Sequence, residues 1–210
     1  MASQLETSLA FARAHQDAFL ADLSGLLRIP SISTAPEHKA DMLATAEEVA
    51  RLLTQAGLEN ARVMPTPGHP VVYAESLCAA ASAPTVLIYG HYDVQPVDPL
   101  DLWTSAPFEP QVRAEHLHAR GASDMKGQVV AAIAAVRAVI AAGKCPVNLK
   151  FIIEGEEEIG SPHLRAFLEA NRELLRCDFA LNPDAGMIAA DIPTIVYGLR
   201  GLSFFELKVF

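Results

Sequence analysis

Acidic and imidazole side chains follow three apolar segments of the chain, each at the point where the segment ends. His91 and Asp93 come directly after the apolar residues 86–89. The acidic run from Glu154 to Glu158 follows a second apolar segment, and Asp184 follows a third. One imidazole with several carboxylate oxygens is a ligand set that suits zinc, manganese or cobalt. A carboxylate next to a histidine can also orient the ring through its second nitrogen. The pattern therefore indicates a divalent metal site.

Each of these side chains also has an ordinary structural interpretation. His91 could simply bond to Asp93 in a turn, and Asp124 could cap the helix that follows it by accepting backbone N–H groups. The four carboxylates between Glu154 and Glu158 repel one another, and at the end of an apolar strand we expect them to need cations. As an alternative to capping, Asp124 could bridge two metal ions at the separation used by two-metal hydrolases.

The spacing of apolar residues predicts an α/β fold. Steps of three and four residues predict helices over about residues 4–27, 42–56, 125–140 and 164–175. Short apolar or alternating runs predict strands at about 61–64, 71–75, 86–89, 147–153 and 177–181, with a hairpin edge at 115–118. We expect the first two helices to cover one side of the sheet, and His69 to be an exposed turn residue. Ligands of open α/β sheets collect at the carboxyl ends of the strands, where the acidic and imidazole residues lie.

Composition narrows the class of ligand. The 210 residues carry a formal net charge of -9, which argues against a nucleic-acid surface or an acidic membrane as partner. No Gly-x-Gly-x-x-Gly or Walker-type loop follows any strand, so a nucleotide-binding function is not expected. Three widely spread cysteines, the lack of a signal peptide pattern and the lack of an apolar run of bilayer length predict a cytoplasmic protein. A small molecule or peptide is the expected ligand.

Three spaced motifs resemble those of one enzyme family. They are residues 90–96 (Gly-His-Tyr-Asp-Val-Gln-Pro), 120–127 (Arg-Gly-Ala-Ser-Asp-Met-Lys-Gly) and 154–161 (Glu-Gly-Glu-Glu-Glu-Ile-Gly-Ser). Residues 27–33 also fit. The chain resembles the amino-terminal part of the M20 metallopeptidases, a family that includes carnosine and cysteinylglycine dipeptidases, acetylornithine deacetylase and succinyl-diaminopimelate desuccinylase. The amino-acid sequences of these motifs are closer to those of the dipeptidases than to those of the deacetylases.

The resemblance implies a fold and a set of metal ligands. The fold is α/β, with a mostly parallel central sheet flanked by helices, as in zinc-dependent exopeptidases. The resemblance assigns one metal ion to His91 and Asp184 and a second ion to Glu158. It makes Asp124 the bridge between the two ions and Asp93 the support of His91. The ions are expected to be zinc, with manganese or cobalt as alternatives.

The same resemblance implies the reaction. Two metal ions would activate a water molecule and Glu157 would act as general base, so that a peptide bond in a dipeptide or short peptide is hydrolysed. An N-acyl amino acid deacylase is the alternative within the hydrolases, because it needs the same machinery. A metal-binding domain without catalysis is the alternative from another class.

The resemblance also divides the chain into two parts. Residues 1–198 would belong to the catalytic domain, and residues 199–210 would begin an inserted α+β dimerisation or lid domain. In this family the chain later returns to supply a last histidine ligand, which these 210 residues lack. The chain is therefore expected to be a fragment that is inactive alone, from an enzyme that is a homodimer at full length.

Overall fold

A computed structural model describes residues 3–77, 80, 82–189 and 191–209. Its helices are α1 Gln4–Ala14, α2 Gln16–Leu27, α3 Lys39–Gln55, α4 Lys126–Ala141 and α5 Leu164–Ala170. Its strands are β1 Glu59–Met64, β2 Val71–Ser76, β3 Thr85–His91, β4 Gln111–Arg113, β5 His116–His118, β6 Asn148–Glu154 and β7 Phe179–Leu181. Within the described residues, no helix combines the length and apolarity needed to span a bilayer.

Five strands form the central sheet, in the order β1-β2-β6-β3-β7. Strand β3 runs parallel to both β6 and β7, whereas β2 is antiparallel to β6 and to β1. The predicted α/β class with a central sheet flanked by helices is confirmed, and the sheet is mixed. Strands β4 and β5 form the expected separate hairpin. The parallel part of the sheet brings the carboxyl ends of β6, β3 and β7 to one edge.

Alternating side chains of the strands supply two apolar clusters, one on each face of the sheet. One face packs against α3 and α4, and its cluster includes Val72, Ile88, Phe151 and Ile153. The opposite face packs against α5 through Val71, Tyr73, Leu87, Ile152, Phe167 and Leu175. This alternation is the period of two that a strand covered on both faces requires. Helix α3 covers β1 and β2 as expected, but α1 and α2 pack chiefly against α4 and form an outer layer.

The helix expected over residues 4–27 is broken at His15. The backbone N–H of His15 donates to Phe11 and Ala12, and its ring Nδ1 lies 2.8 Å from the Phe11 carbonyl oxygen. The imidazole also stacks on the Phe11 ring, with 3.8 Å between the centroids. These contacts satisfy the last carbonyl groups of α1, so α2 begins as a separate helix. Apolar spacing carries no signal for such a local side-chain bond.

The fourth predicted helix is shorter than expected. It ends at Ala170 because Asn171 donates from both its backbone N–H and its side-chain Nδ2 to the Phe167 carbonyl oxygen. Leu175 nevertheless stays buried in the apolar cluster. The strand that follows begins at Phe179, two residues later than predicted.

The alternating sequence of residues 203–210 predicts a strand, but no strand is formed over the described residues 203–209. No helix or strand occurs among residues 193–209, and their large apolar side chains are exposed. A strand needs a neighbour to bond its backbone groups, and no described segment lies beside these residues as a partner. Of the three cysteines, Cys145 and Cys177 are free thiols, and Cys78 lies outside the described residues.

Candidate metal centre

The predicted site residues lie together at one edge of the sheet. His91 is the last residue of β3 and pairs in register with Glu154, the last residue of β6. Asp184 follows β7, which runs parallel to β3 on its other side. Asp124 comes two residues before α4, which packs on the face of the sheet beside β3. The ends of β3, β6 and β7 and the start of α4 therefore meet at one edge of the sheet.

The ring of His91 is the centre of the cluster. Its Nε2 lies 3.1 Å from Asp124 Oδ1, 3.6 Å from Asp184 Oδ2 and 3.9 Å from Glu157 Oε2. His91 is completely buried, whereas 63% of the Asp124 side chain is exposed. Ligand atoms of His91, Asp124 and Asp184 all lie within 4.8 Å of one another. The structure thus brings together three of the four predicted metal ligands, with Glu157 beside them.

Asp93 holds the opposite side of the ring and the glutamate turn together. The Asp93 side chain is completely buried, and its Oδ1 lies 3.3 Å from His91 Nδ1. The same carboxylate accepts the backbone N–H of Glu157 at 3.2 Å and that of Glu158 at 3.0 Å. Each of its two oxygens is therefore fixed by the turn that carries the two glutamates. This contact to the turn was not anticipated from the sequence.

The electrostatic environment of the cluster favours the binding of a cation. Burial of the His91 ring opposes protonation, but Asp93, Glu157 and Asp184 outweigh it and raise the pKa of His91 to about 9. Burial raises the pKa of Glu157 and of Asp184, against the opposing influence of His91. The carboxylates thus lie in surroundings where a positive charge is stabilising. The donor set of one imidazole with several carboxylate oxygens fits a divalent metal ion.

The four carboxylates between Glu154 and Glu158 divide into two pairs. Glu154 accepts hydrogen bonds from Tyr89 and Ser161, so protein donors satisfy it. Glu156 is likewise satisfied by protein donors and points away from the cluster, leaving Glu157 and Glu158 at the metal edge. The expectation that the whole run needs cations is wrong for Glu154, whose donors Tyr89 and Ser161 are neutral.

Glu158 makes contacts that differ from those of the residues around His91. Its Oε2 accepts a hydrogen bond of 2.8 Å from Gln95 Nε2, and it is not part of the group formed by His91, Asp124 and Asp184. Burial raises its pKa, and the charge of Asp124 adds to this effect. Gln95 is a contact that sequence reasoning missed.

Asp124 does not cap the helix that follows it. Helix α4 begins at Lys126, and no side chain caps its first turn. The carboxylate of Asp124 faces His91 instead. The capping interpretation is therefore not the one that the structure shows.

Lys126 is a buried charge that the sequence analysis missed. Its Nζ donates to the carbonyl oxygens of Leu26 and Ile29 at the end of α2, and burial lowers its pKa to about 7. A signal was present, because Lys126 lies three and four residues before Val129 and Val130 and so belongs to the apolar stripe of α4.

A loop beside the centre carries the only tryptophan. Trp103 donates from Nε1 to the Val97 carbonyl oxygen, and the guanidinium of Arg120 lies 5.2 Å from the centre of its ring. These contacts fasten the loop to the segment that leads to Asp124. Trp103 also lines a cavity of about 340 Å³ together with Ser123. Trp103 therefore both anchors the loop and forms part of the cavity wall.

Fold and site define an α/β domain with a candidate metal centre of histidine and carboxylate side chains at the carboxyl edge of its parallel strands. The model of peptidase family M20/M25/M40 matches residues 87–199, and the chain belongs to this family of metallopeptidases. The matched range contains all six residues that the motif resemblance singled out.

Named relatives agree with the family. The chain is 34% identical to a cysteinylglycine-S-conjugate dipeptidase of Corynebacterium striatum, with 90% of this chain and 41% of that protein covered. It is 34% identical to human Beta-Ala-His dipeptidase, with 98% and 43% covered. A solved structure of the M20 family metallo-carboxypeptidase Sso-CP2 from Sulfolobus solfataricus superposes with a TM-score of 0.74 at 39% identity, with 80% and 38% covered. The chain thus spans less than half the length of these relatives.

Proposed function

We propose that this chain supplies the metal centre of an enzyme that hydrolyses the peptide bond of dipeptides or short peptides. The observation that carries the proposal is the approach of Asp124, Asp184 and Glu157 to the Nε2 atom of His91, at 3.1, 3.6 and 3.9 Å. The names of the two curated relatives, both dipeptidases, support the substrate class.

The proposal gives each residue of the site one role. His91 and Asp184 would hold one divalent ion, Glu158 would belong to a second, and Asp124 would contribute to both. Zinc is the first choice, because three protein ligands of imidazole and carboxylate type are usual for a catalytic zinc, and manganese or cobalt are alternatives. When bound, the ions supply Lewis acidity for the scissile carbonyl and for a water molecule.

Glu157 is the residue that moves the proton. Its Oε2 lies beside the ligand cluster, and 39% of its side chain remains exposed, so it can reach a substrate from the solvent side. It takes the proton of the attacking water and then gives it to the leaving amine. Asp93 keeps His91 in the orientation that turns Nε2 toward the carboxylates, through the contact at Nδ1.

The test uses the complete native gene product, stripped of metal with a chelator and then supplied with zinc, manganese or cobalt. Its rate is measured on a panel of dipeptides and, in parallel, on N-acetyl and N-succinyl amino acids. The proposal expects hydrolysis of dipeptides that disappears with the metal and returns with it. Hydrolysis of the N-acyl amino acids alone would make the protein a deacylase, and metal binding without any turnover would make it a binding domain. That the full-length protein is a homodimer and that it is cytoplasmic both remain predictions.

A further inference from the structure

The first glutamate of the turn after β6 has a buried set of partners away from the metal edge. Only 5% of the Glu156 side chain is exposed. Its Oε2 lies 2.8 Å from Nδ1 of His163, and its Oε1 accepts the backbone N–H of His69 at 3.1 Å. His69 is itself fixed, because its Nε2 lies 3.1 Å from the Ser33 carbonyl oxygen. The expectation that His69 is an exposed turn residue is therefore wrong.

This carboxylate joins three separate segments of the chain. His69 belongs to the turn between β1 and β2, His163 directly precedes α5, and Glu156 begins the turn that carries Glu157 and Glu158. A Cβ atom placed on Gly68 would lie 1.8 Å from Glu156 Oε1 and 2.7 Å from His163 Nδ1. The turn at Gly68 therefore fits closely over the carboxylate, and a side chain there would displace it.

The backbone of Glu156 forms hydrogen bonds within the same turn. Its carbonyl oxygen accepts N–H groups of Ile159 at 3.2 Å and Ser161 at 2.8 Å, which closes the loop around the two site glutamates. Asp93 holds the N–H groups of those glutamates from the metal side. The turn is thus fixed from two sides, by Asp93 within the site and by Glu156 behind it.

We infer that Glu156 is a positioning residue, which sets the placement of Glu157 and Glu158 by anchoring their turn to His163 and to the backbone of His69. The inference rests on the proposed function, in which Glu157 is the base and Glu158 a metal ligand. Glu156 itself touches neither His91 nor the carboxylates of the cluster among the contacts that the described residues make. A misplacement of about 1 Å can cost roughly 100-fold in rate, so the anchor matters to catalysis even at a distance.

The experiment compares Glu156→Gln and Glu156→Ala in the complete gene product. Glutamine keeps an oxygen that can accept from the His69 N–H but loses the charge that faces His163, whereas alanine loses both contacts. With a dipeptide substrate, we expect kcat to fall about 10-fold for glutamine and about 100-fold for alanine, with KM little changed. Zinc is supplied in excess, so that a displaced Glu158 that binds the ion less tightly does not by itself lower kcat.

The visible spectrum of the cobalt-loaded protein gives a second measurement, independent of turnover. A turn that has shifted changes the surroundings of Glu158, so both variants should alter the cobalt absorption bands, alanine more than glutamine. Gly68→Ala should do the same, since it pushes the carboxylate aside without removing it. This third variant keeps the test open if Glu156→Ala does not fold.

Glu169→Gln is the matched control, because Glu169 is an exposed glutamate of α5 whose carboxylate bonds the side chain of Arg165. It should leave rate and spectrum unchanged. The inference is overturned if the folded Glu156 and Gly68 variants keep the wild-type cobalt spectrum and kcat, or if kcat falls only in proportion to the folded fraction measured by circular dichroism. If the wild type itself hydrolyses no peptide, the proposed function fails, and the cobalt spectra still decide the role of Glu156.

Discussion

Two neighbouring glutamates at the end of β6 have different surroundings. Glu157 Oε2 lies 3.9 Å from His91 Nε2, whereas Glu158 Oε2 accepts a hydrogen bond from Gln95. Both lie in one 3-10 turn, Glu157–Ile159, in which consecutive side chains point about 120° apart, so the two carboxylates face different surroundings. The difference supports the division into base and ligand and allows the two roles to be measured separately.

Glu157→Gln in the complete protein should lower kcat by about 10²–10⁴-fold, the range that a general base contributes. Bound metal, measured by atomic emission, should stay near the wild-type amount. Glu158→Gln should lose metal as well as activity, because an amide is a weaker ligand than a carboxylate. Equal metal loss in the two variants would show that the assignment of base and ligand is wrong.

Asp124→Asn separates a metal bridge from a helix cap. Asparagine caps helices as well as aspartate does, so a capping residue would lose less than about 1 kcal/mol of unfolding free energy. If Asp124 instead bridges the metal ions, the Asp124→Asn variant should lose metal affinity and activity. The metal-free variant should keep its stability, since most of the Asp124 side chain is exposed. Isothermal titration with zinc and urea unfolding of the metal-free protein measure the two quantities. Normal zinc affinity in an active variant would contradict the bridge.

Residue types and spacing were enough to select His91, Asp124 and Asp184, because each follows or precedes an apolar element at the edge where parallel strands end. The same reasoning treated the acidic run as one unit and failed to divide it. Partners such as Ser161, His163 and the backbone of His69 come from other segments, and only the folded chain brings them together.

At the scale of elements, α5 is the only described helix among the contacts of the second apolar cluster. Its contribution rests on Phe167, which is buried against the face of the sheet that carries Leu87 and Ile152. The next residue, Leu168, is 37% exposed. Two adjacent apolar residues on one short helix therefore differ in burial.

Phe167→Ala should lower the unfolding free energy by about 3–5 kcal/mol, through lost burial and the cavity it leaves. The matched change Leu168→Ala should cost clearly less, because part of that side chain already contacts water. Urea unfolding followed by circular dichroism gives both values. Similar losses in the two variants would mean that α5 does not pack on the sheet through Phe167.

The elements themselves were largely predictable, since long apolar stripes such as that of α4 and continuous apolar runs such as β3 leave little choice. What spacing could not predict was set by single side chains or by the neighbours of a strand. The ring of His15 ends α1, the amide of Asn171 ends α5, and residues 203–209 find no partner strand among the described residues.

At the scale of the whole molecule, a metal ion would link residues that are far apart in the sequence. His91, Asp124 and Asp184 come together only in the folded chain. A ligand that binds the folded state alone stabilises it, by about 2.7 kcal/mol when its free concentration is 100 times Kd.

Zinc added to the metal-free chain should therefore raise Tm, and a chelator should reverse the shift. Asp184→Asn should remove most of the zinc-dependent rise. Asp191→Asn is the control from the same stretch of chain, because Asp191 is exposed and outside the cluster, and it should keep the full rise. Differential scanning calorimetry with and without zinc measures the shift. A rise in Tm that survives in Asp184→Asn would place the metal elsewhere.

The position of β3 in the sheet also has a consequence for hydrogen exchange. All seven of its residues pair with β6, β7 lies along its other side, and the His91 N–H donates to the sulfur of Met125. Amide protons held in this way exchange with deuterium only when the sheet itself comes apart, whereas those of the outer strand β1 can exchange through local fraying. The imidazole at the centre of the candidate metal site is thus carried by an inner strand, which we expect to open less often than β1.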